Sequence, residues 1–136
     1  MLRAFPLLIL PLALYNAAMF GIVGVSGPRW LATELWSVTL WSGAVYALTF
    51  GTLLILLALL LLAIDILKAG RPVPMRAREH LFPVLVFFIY VAEFILIERA
   101  GTETFLIIGA IALVDVIIVT AVAIRVSPRD TTIGLG

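Results

Sequence analysis

From Leu53 to Ile64 the chain reads Leu-Leu-Ile-Leu-Leu-Ala-Leu-Leu-Leu-Leu-Ala-Ile, with no polar side chain in the run. A helix built from it is apolar on every face, so it belongs in the centre of a large protein or across a bilayer. The whole chain is 136 residues, 64% apolar and 12% charged, against roughly 25% charged in a soluble protein. It has too little polar surface to bury such a helix in water. The bilayer must supply most of the solvent.

Four apolar stretches come near the roughly 20 residues that cross about 30 Å of hydrocarbon as a helix. They run from Phe5 to Val25, Gly43 to Ile66, Leu81 to Ile97 and Thr104 to Ile124. The sequence therefore predicts an all-α polytopic membrane protein: four transmembrane helices in an antiparallel up-down bundle. One domain covers residues 1–126, and a polar tail covers 127–136. Arg3 and the small pair Ala17-Ala18 are signal-like, but the apolar run continues to Val25. That exceeds the ~7–15 residues of a cleaved signal, so the first helix is expected to remain. Glu98 to Glu103, around Gly101, predicts a tight turn that makes helices three and four a hairpin. Pro11 predicts a mild kink, and Pro83 is expected in the first turn of the third helix, where a missing donor is harmless.

Orientation follows from the basic residues. Arg3, Lys68, Arg71, Arg76, Arg78, Arg125 and Arg129 fall on one side of this threading, and only Arg29 and Arg99 on the other. The positive-inside rule then places both termini in the cytoplasm. Lys68, Arg71, Arg76 and Arg78 are also the candidates to hold an anionic lipid headgroup. On the opposite side, Ser26 to Ser42 carries Trp30, Trp36 and Trp41, expected as anchors at headgroup level, where an indole satisfies both its apolar body and its N–H. Trp36 to Leu40 alternates with β-branched residues, as an extended segment lying on the interface would.

Small residues mark expected packing faces. Ala13, Ala17 and Gly21 recur every four residues in the first helix, and Ala44, Gly51, Ala58 and Asp65 every seven in the second. Such grooves let membrane helices approach closely and gain dispersion contact.

Whole classes of chemistry drop out. With no cysteine there are no disulfides, thiolate metal sites or thiol nucleophiles. A single histidine, His80, excludes bis-histidine haem ligation within the chain. The net charge of +1 is spread over short clusters rather than the broad basic face that nucleic acid requires. The serines of the first outer connection have no histidine on their side to act as base. No enzymatic activity, metal or cofactor is expected.

Four polar groups interrupt the apolar runs: Asn16, Asp65, Glu93 and Asp115. An ionisable group at mid-membrane costs roughly 2.5–3.5 kcal/mol on insertion scales, so each asks for a reason. Asp65 is expected near the cytoplasmic edge beside Lys68. Asp115 is expected at mid-depth with no Lys or Arg at its level, holding its proton or bonded to Asn16, Tyr15, Tyr90 or Thr120. Glu93 is expected about a turn from the outer end, roughly 8–10 Å from the level of Asp115 by helical rise. The two acids then act either as interhelical hydrogen-bond glue or as stations on a proton or cation path.

The stretch from Trp41-Ser42-Gly43 through Thr49-x-Gly51-x-Leu53-Leu54 to Asp65-x-x-Lys68-Ala69 resembles small, uncharacterised inner-membrane proteins of alphaproteobacterial type. So do Ala92-Glu93-Phe94, Gly101-Thr102-x-Thr104-Phe105 and Ala112-Leu113-Val114-Asp115-Val116. The resemblance implies four helices and the bacterial inner membrane, and no activity. Claudin-like proteins share the topology, but their first outer loop is longer and carries a Trp/Cys signature absent here. The leading expectation is a non-enzymatic structural or accessory subunit that packs with itself, as a homo-oligomer, or with a larger membrane complex. The alternative is a small oligomeric proton- or cation-coupled transporter using Glu93 and Asp115.

Overall fold

The computed structural model describes residues 5–21, 27–70 and 77–126. Among these the chain is mostly helical, with four α-helices: α1 (Ile9–Met19), α2 (Phe50–Ala69), α3 (Ala77–Leu96) and α4 (Glu103–Val126). The last three are long and apolar enough to cross a membrane. A two-stranded antiparallel sheet, β1 (Glu34–Thr39) and β2 (Val45–Thr49), precedes α2. The all-α expectation is corrected to that extent.

The hairpin takes residues 43–49 away from the expected second span. Gly43 adopts φ +84°, a left-handed conformation open to glycine at little cost. Its N–H donates to the Leu40 carbonyl at 2.9 Å, and Leu40 N–H donates to the Ala44 carbonyl at 2.8 Å. Thus Trp41-Ser42-Gly43 closes a short hairpin with glycine at the left-handed position. Val38, Thr39, Val45 and Tyr46 then favour strand over helix. Helix α2 starts only where Thr49 caps it, its Oγ1 accepting Thr52 N–H at 3.3 Å. The register pairs Trp36 with Leu48 and Val38 with Tyr46, so one face of the hairpin is apolar.

Helix α1 is also shorter than the expected span of 5–25. Gly21, at φ +78°, donates its N–H back to the Ala18 carbonyl and ends the helix just past Met19. Gly21 is therefore a helix terminator and not part of a packing stripe. Pro11 falls in the first turn, and Leu10 N–H takes the Leu7 carbonyl that Pro11 leaves free. The expected kink has no cause there. Pro83, by contrast, lies inside α3, because that helix starts at Ala77.

Helix α4 packs against both α2 and α3. A 3₁₀ turn at Glu98–Ala100 joins α3 to α4 as the expected tight hairpin. Helices α2 and α4 start side by side: a Cβ on Gly51 would meet Thr104 Oγ1 at 3.0 Å and the Leu31 carbonyl at 3.2 Å. Gly51 and Ala58 thus occupy a true close approach, and Asp65 continues the same buried face. Ala44 does not, since it lies in the exposed hairpin turn. In α1 the buried face is Leu8, Leu12, Tyr15 and Ala18. Ala13 is exposed and Ala17 half-buried, so the expected groove does not coincide with that buried face. Phe105 anchors the core, its ring 4.7 Å from Tyr15 and 5.4 Å from Tyr90.

Candidate functional site: the buried polar ladder

Buried polar side chains in a bilayer need partners within the protein, because lipid offers none. Here they line up from one end of the bundle to the other. At the hairpin end the Tyr15 hydroxyl donates to the Arg99 carbonyl at 2.9 Å and shares a 2.6 Å hydrogen bond with the Thr102 hydroxyl. Arg99 Nη1 donates to the Met19 carbonyl at 3.1 Å, satisfying the C-terminal end of α1, and its guanidinium lies 5.8 Å from the Phe20 ring. Below them Asn16 Nδ2 donates to Glu93 Oε2 at 2.8 Å, tying α1 to α3. The Tyr90 hydroxyl donates to the Leu8 carbonyl at 2.9 Å, a second α3-to-α1 tie.

At the opposite end Asp65 is only 7% exposed. Its Oδ1 accepts from Lys68 Nζ at 2.9 Å, and its Oδ2 accepts the Leu7 N–H at 3.3 Å. A carboxylate from α2 thereby holds the turn that leads into α1, near the end of the helix whose dipole favours negative charge. Asp115 on α4 is 2% exposed, within Coulombic reach of both Asp65 and Lys68. Its Oδ1 is buried without a hydrogen-bond partner.

Of the four intramembrane polar groups singled out in the sequence, Asn16 is bonded to Glu93, Asp65 is held by Lys68 and the Leu7 amide, and the buried Oδ1 of Asp115 has no partner. The partners expected for Asp115 are engaged elsewhere (Asn16, Tyr15 and Tyr90) or exposed (Thr120). By helical rise no Lys or Arg stands at the level of Asp115, but Lys68 lies closer to it than the expected span of α2 would allow, and the cause is the late start of α2. Asp65 lies fourteen residues past Gly51, and Asp115 eleven past Thr104. At 1.5 Å per residue they sit about 21 and about 16 Å below the Gly51–Thr104 level, nearly abreast. Lys68 follows about one turn deeper.

His80 is the group sequence reasoning left aside. Its Nδ1 is also buried without a partner, while the residue as a whole is half-exposed. Arg71 and Arg76 lie outside the described residues, and Arg78 sits in the first turn of α3. Of the aromatic anchors, Trp36 and Trp41 are exposed on the hairpin, whereas Trp30 stacks on Phe50 at 4.3 Å, over the start of α2.

Between α3 and α4 runs a groove of about 280 Å³, walled by Phe87, Tyr90, Phe94, Phe105, Gly109 and Leu113. Gly109 forms its floor, with Tyr90 atoms 3.8 Å from where a Cβ would stand. Its chemistry is that of a packing surface, since it offers no charged group. Comparison with protein-family models, with curated proteins and with solved structures returns no match to this chain.

Proposed function

We propose that the chain is a non-enzymatic structural or accessory subunit of a bacterial inner membrane. It acts through helix faces that pack with a second copy or with a larger membrane complex. The observation that carries this is the division of its polar and apolar surface. Asn16, Glu93, Tyr15, Tyr90 and Asp65 are used in tying the helices of the chain to one another. The outer faces of α2, α3 and α4 and the aromatic groove at Gly109 are left apolar. Membrane helices associate by such small-residue grooves, which allow close van der Waals contact.

In this reading α1 counts as a fourth crossing and both termini face the cytoplasm. The contacts of α1 support it: Leu7 meets α2 at the Asp65 level, and Met19 meets Arg99 at the opposite end. The basic loop with Lys68, Arg71, Arg76 and Arg78 then meets anionic headgroups, and Trp36 and Trp41 rest in the outer headgroup layer. Cysteines placed at Thr33 and Thr102 should react with an impermeant thiol reagent in intact cells, and one at Val73 should not. Cysteines at Leu106 and Leu113, on the groove, should give a discrete cross-linked dimer or a cross-link to one membrane protein in native membranes. A chain that stays monomeric in mild detergent and forms no cross-link from either position would overturn the reading.

A further inference from the structure

The groove between α3 and α4 faces the bilayer and is narrower than a helix. We propose that it seats one acyl chain of a phospholipid from the leaflet at the hairpin end, with an ammonium headgroup over Glu103. The inference rests on the reading of this face as a packing surface and adds what first fills it: a neighbouring protein then packs over a seated chain.

Shape selects the occupant. The groove runs from Phe105 to Leu113, eight residues of α4 and about 12 Å by helical rise. One leaflet contributes about 15 Å of hydrocarbon, so the groove has the length of a chain from that leaflet. A volume of about 280 Å³ spread over that length is a slot about 5 Å across. A helix with its side chains measures about 10–12 Å, and it can lie over such a slot but not in it. An extended hydrocarbon chain has no branches and fits lengthwise.

The walls are built and held by the core. The Phe105 ring is fixed between Tyr15, at 4.7 Å, and Tyr90, at 5.4 Å, and lies parallel to Phe94 at 6.4 Å. Tyr90 spends its hydroxyl on the Leu8 carbonyl, so the groove gains its ring and no free polar group. At Gly109 a Cβ would already touch Tyr90 at 3.8 Å, and a longer side chain would stand in the slot. Lipid has no hydrophobic drive toward protein, so what a chain gains here is dispersion contact on two walls and a floor. The convex face of α2 at Leu56 and Leu60 touches a chain on one side only.

Charge selects the headgroup. Glu103, Leu106, Ala110 and Leu113 recur at spacings of three and four along one stripe of α4, which places Glu103 over the end of the groove. Glu103 is exposed, as is Glu98 in the same connection. Arg99 between them is turned to the Met19 carbonyl and the Phe20 ring. This end is therefore acidic. An ammonium with N–H donors suits a carboxylate, and a headgroup of net negative charge is repelled.

The test uses the full-length protein in phosphatidylcholine vesicles with a trace of phosphatidylethanolamine that carries a diazirine midway along one acyl chain. After irradiation, peptide mass spectrometry locates the adducts. They should concentrate at residues 87–95 and 105–113 and stay sparse at Leu56 and Leu60, which lie at the same depth on α2. Ala110→Phe fills the slot from its exposed rim and should abolish the concentration, as should Gly109→Leu from the floor, with helicity retained by circular dichroism. A phosphatidylglycerol probe with the same chain should give about threefold fewer adducts, the scale of an exposed ion pair, and Glu98→Gln with Glu103→Gln should level the two. Adducts spread evenly over α2, α3 and α4, or a concentration unmoved by Ala110→Phe, would overturn the seated chain. Equal yields from the two probes on the unaltered protein would overturn the headgroup. Protein cross-links from Leu106 and Leu113 are read separately: their absence, with adducts still confined to the groove, counts against the packing role and not against the lipid.

Discussion

The close approach of α2 to α4 can be tested at Gly51. A Cβ there would stand 3.0 Å from Thr104 Oγ1 and 3.2 Å from the Leu31 carbonyl oxygen, both shorter than ordinary van der Waals contact. The two obstacles are unequal. Thr104 is a side chain that can rotate away, but Leu31 O belongs to backbone and is held by the Gly51 N–H at 2.9 Å. Alanine can therefore be fitted by moving Thr104 and stretching the Leu31 bond by a few tenths of an ångström, at the low end of the cost of overpacking, about 1 kcal/mol. Valine adds two methyl groups that must face α4 or the Leu31 turn whichever rotamer is taken. The helices then part, and overpacking of this kind costs about 1–3 kcal/mol. We expect Gly51→Val at the upper end of that range. Helicity measured by circular dichroism against increasing SDS fraction would give the order wild type, Gly51→Ala, Gly51→Val. Thr104→Ala should rescue part of the alanine variant and little of the valine one. Equal stability of Gly51→Val and wild type would show that α2 and α4 do not meet there.

Asn16→Leu and Glu93→Leu should each destabilise the fold, and the double variant should reveal a coupling of about 0.6–1.7 kcal/mol in a thermodynamic cycle, as for other hydrogen bonds between membrane helices. Arg99→Gln should loosen the end of α1 by about 1–2 kcal/mol through the lost Met19 bond and Phe20 contact, seen as faster amide exchange near Met19. Trp41→Phe should leave thermal stability within about 0.5 kcal/mol, since Trp41 touches little of the chain. If the hairpin lies on the outer leaflet, that substitution should also reduce fluorescence quenching by lipids brominated near the headgroup.

What the sequence conveyed best was what depends on composition. The run from Leu53 to Ile64 admits no state but a helix outside water, and α2, α3 and α4 follow from such runs. Boundaries set by single residues were less legible. Val45 to Thr49 is apolar enough to extend a membrane helix, and only the turn at Gly43 and the cap at Thr49 stop it. Those two signals, Ser42-Gly43 between alternating segments and Thr49-x-x-Thr52, were there to be read. In the first stretch Gly21 resembles a packing glycine by spacing, yet its φ of +78° makes it an end. The candidate site suffered from the same error of register. Shifting the start of α2 by seven residues raises Asp65 and Lys68 about 10 Å toward the level of Asp115, which no reading of side-chain types alone provides.

The short first helix has a consequence for how this chain is made. Helix α1 has eleven residues, about 16 Å of rise, and leaves the ribosome before any group that holds it. Its partners follow much later: Asp65 after 58 residues, Glu93 after 77, Tyr90 after 82 and Arg99 after 84, each counted from its own contact in α1. During synthesis, therefore, α1 has no stable seat in the lipid and waits near the insertion machinery until the α3–α4 hairpin is complete. Assembly then ends with the earliest of the four helices, which the last step fastens to a scaffold formed by the other three. Truncating the chain before Arg99 should then leave α1 unplaced and exposed to protease, even though the whole of its own sequence has been translated.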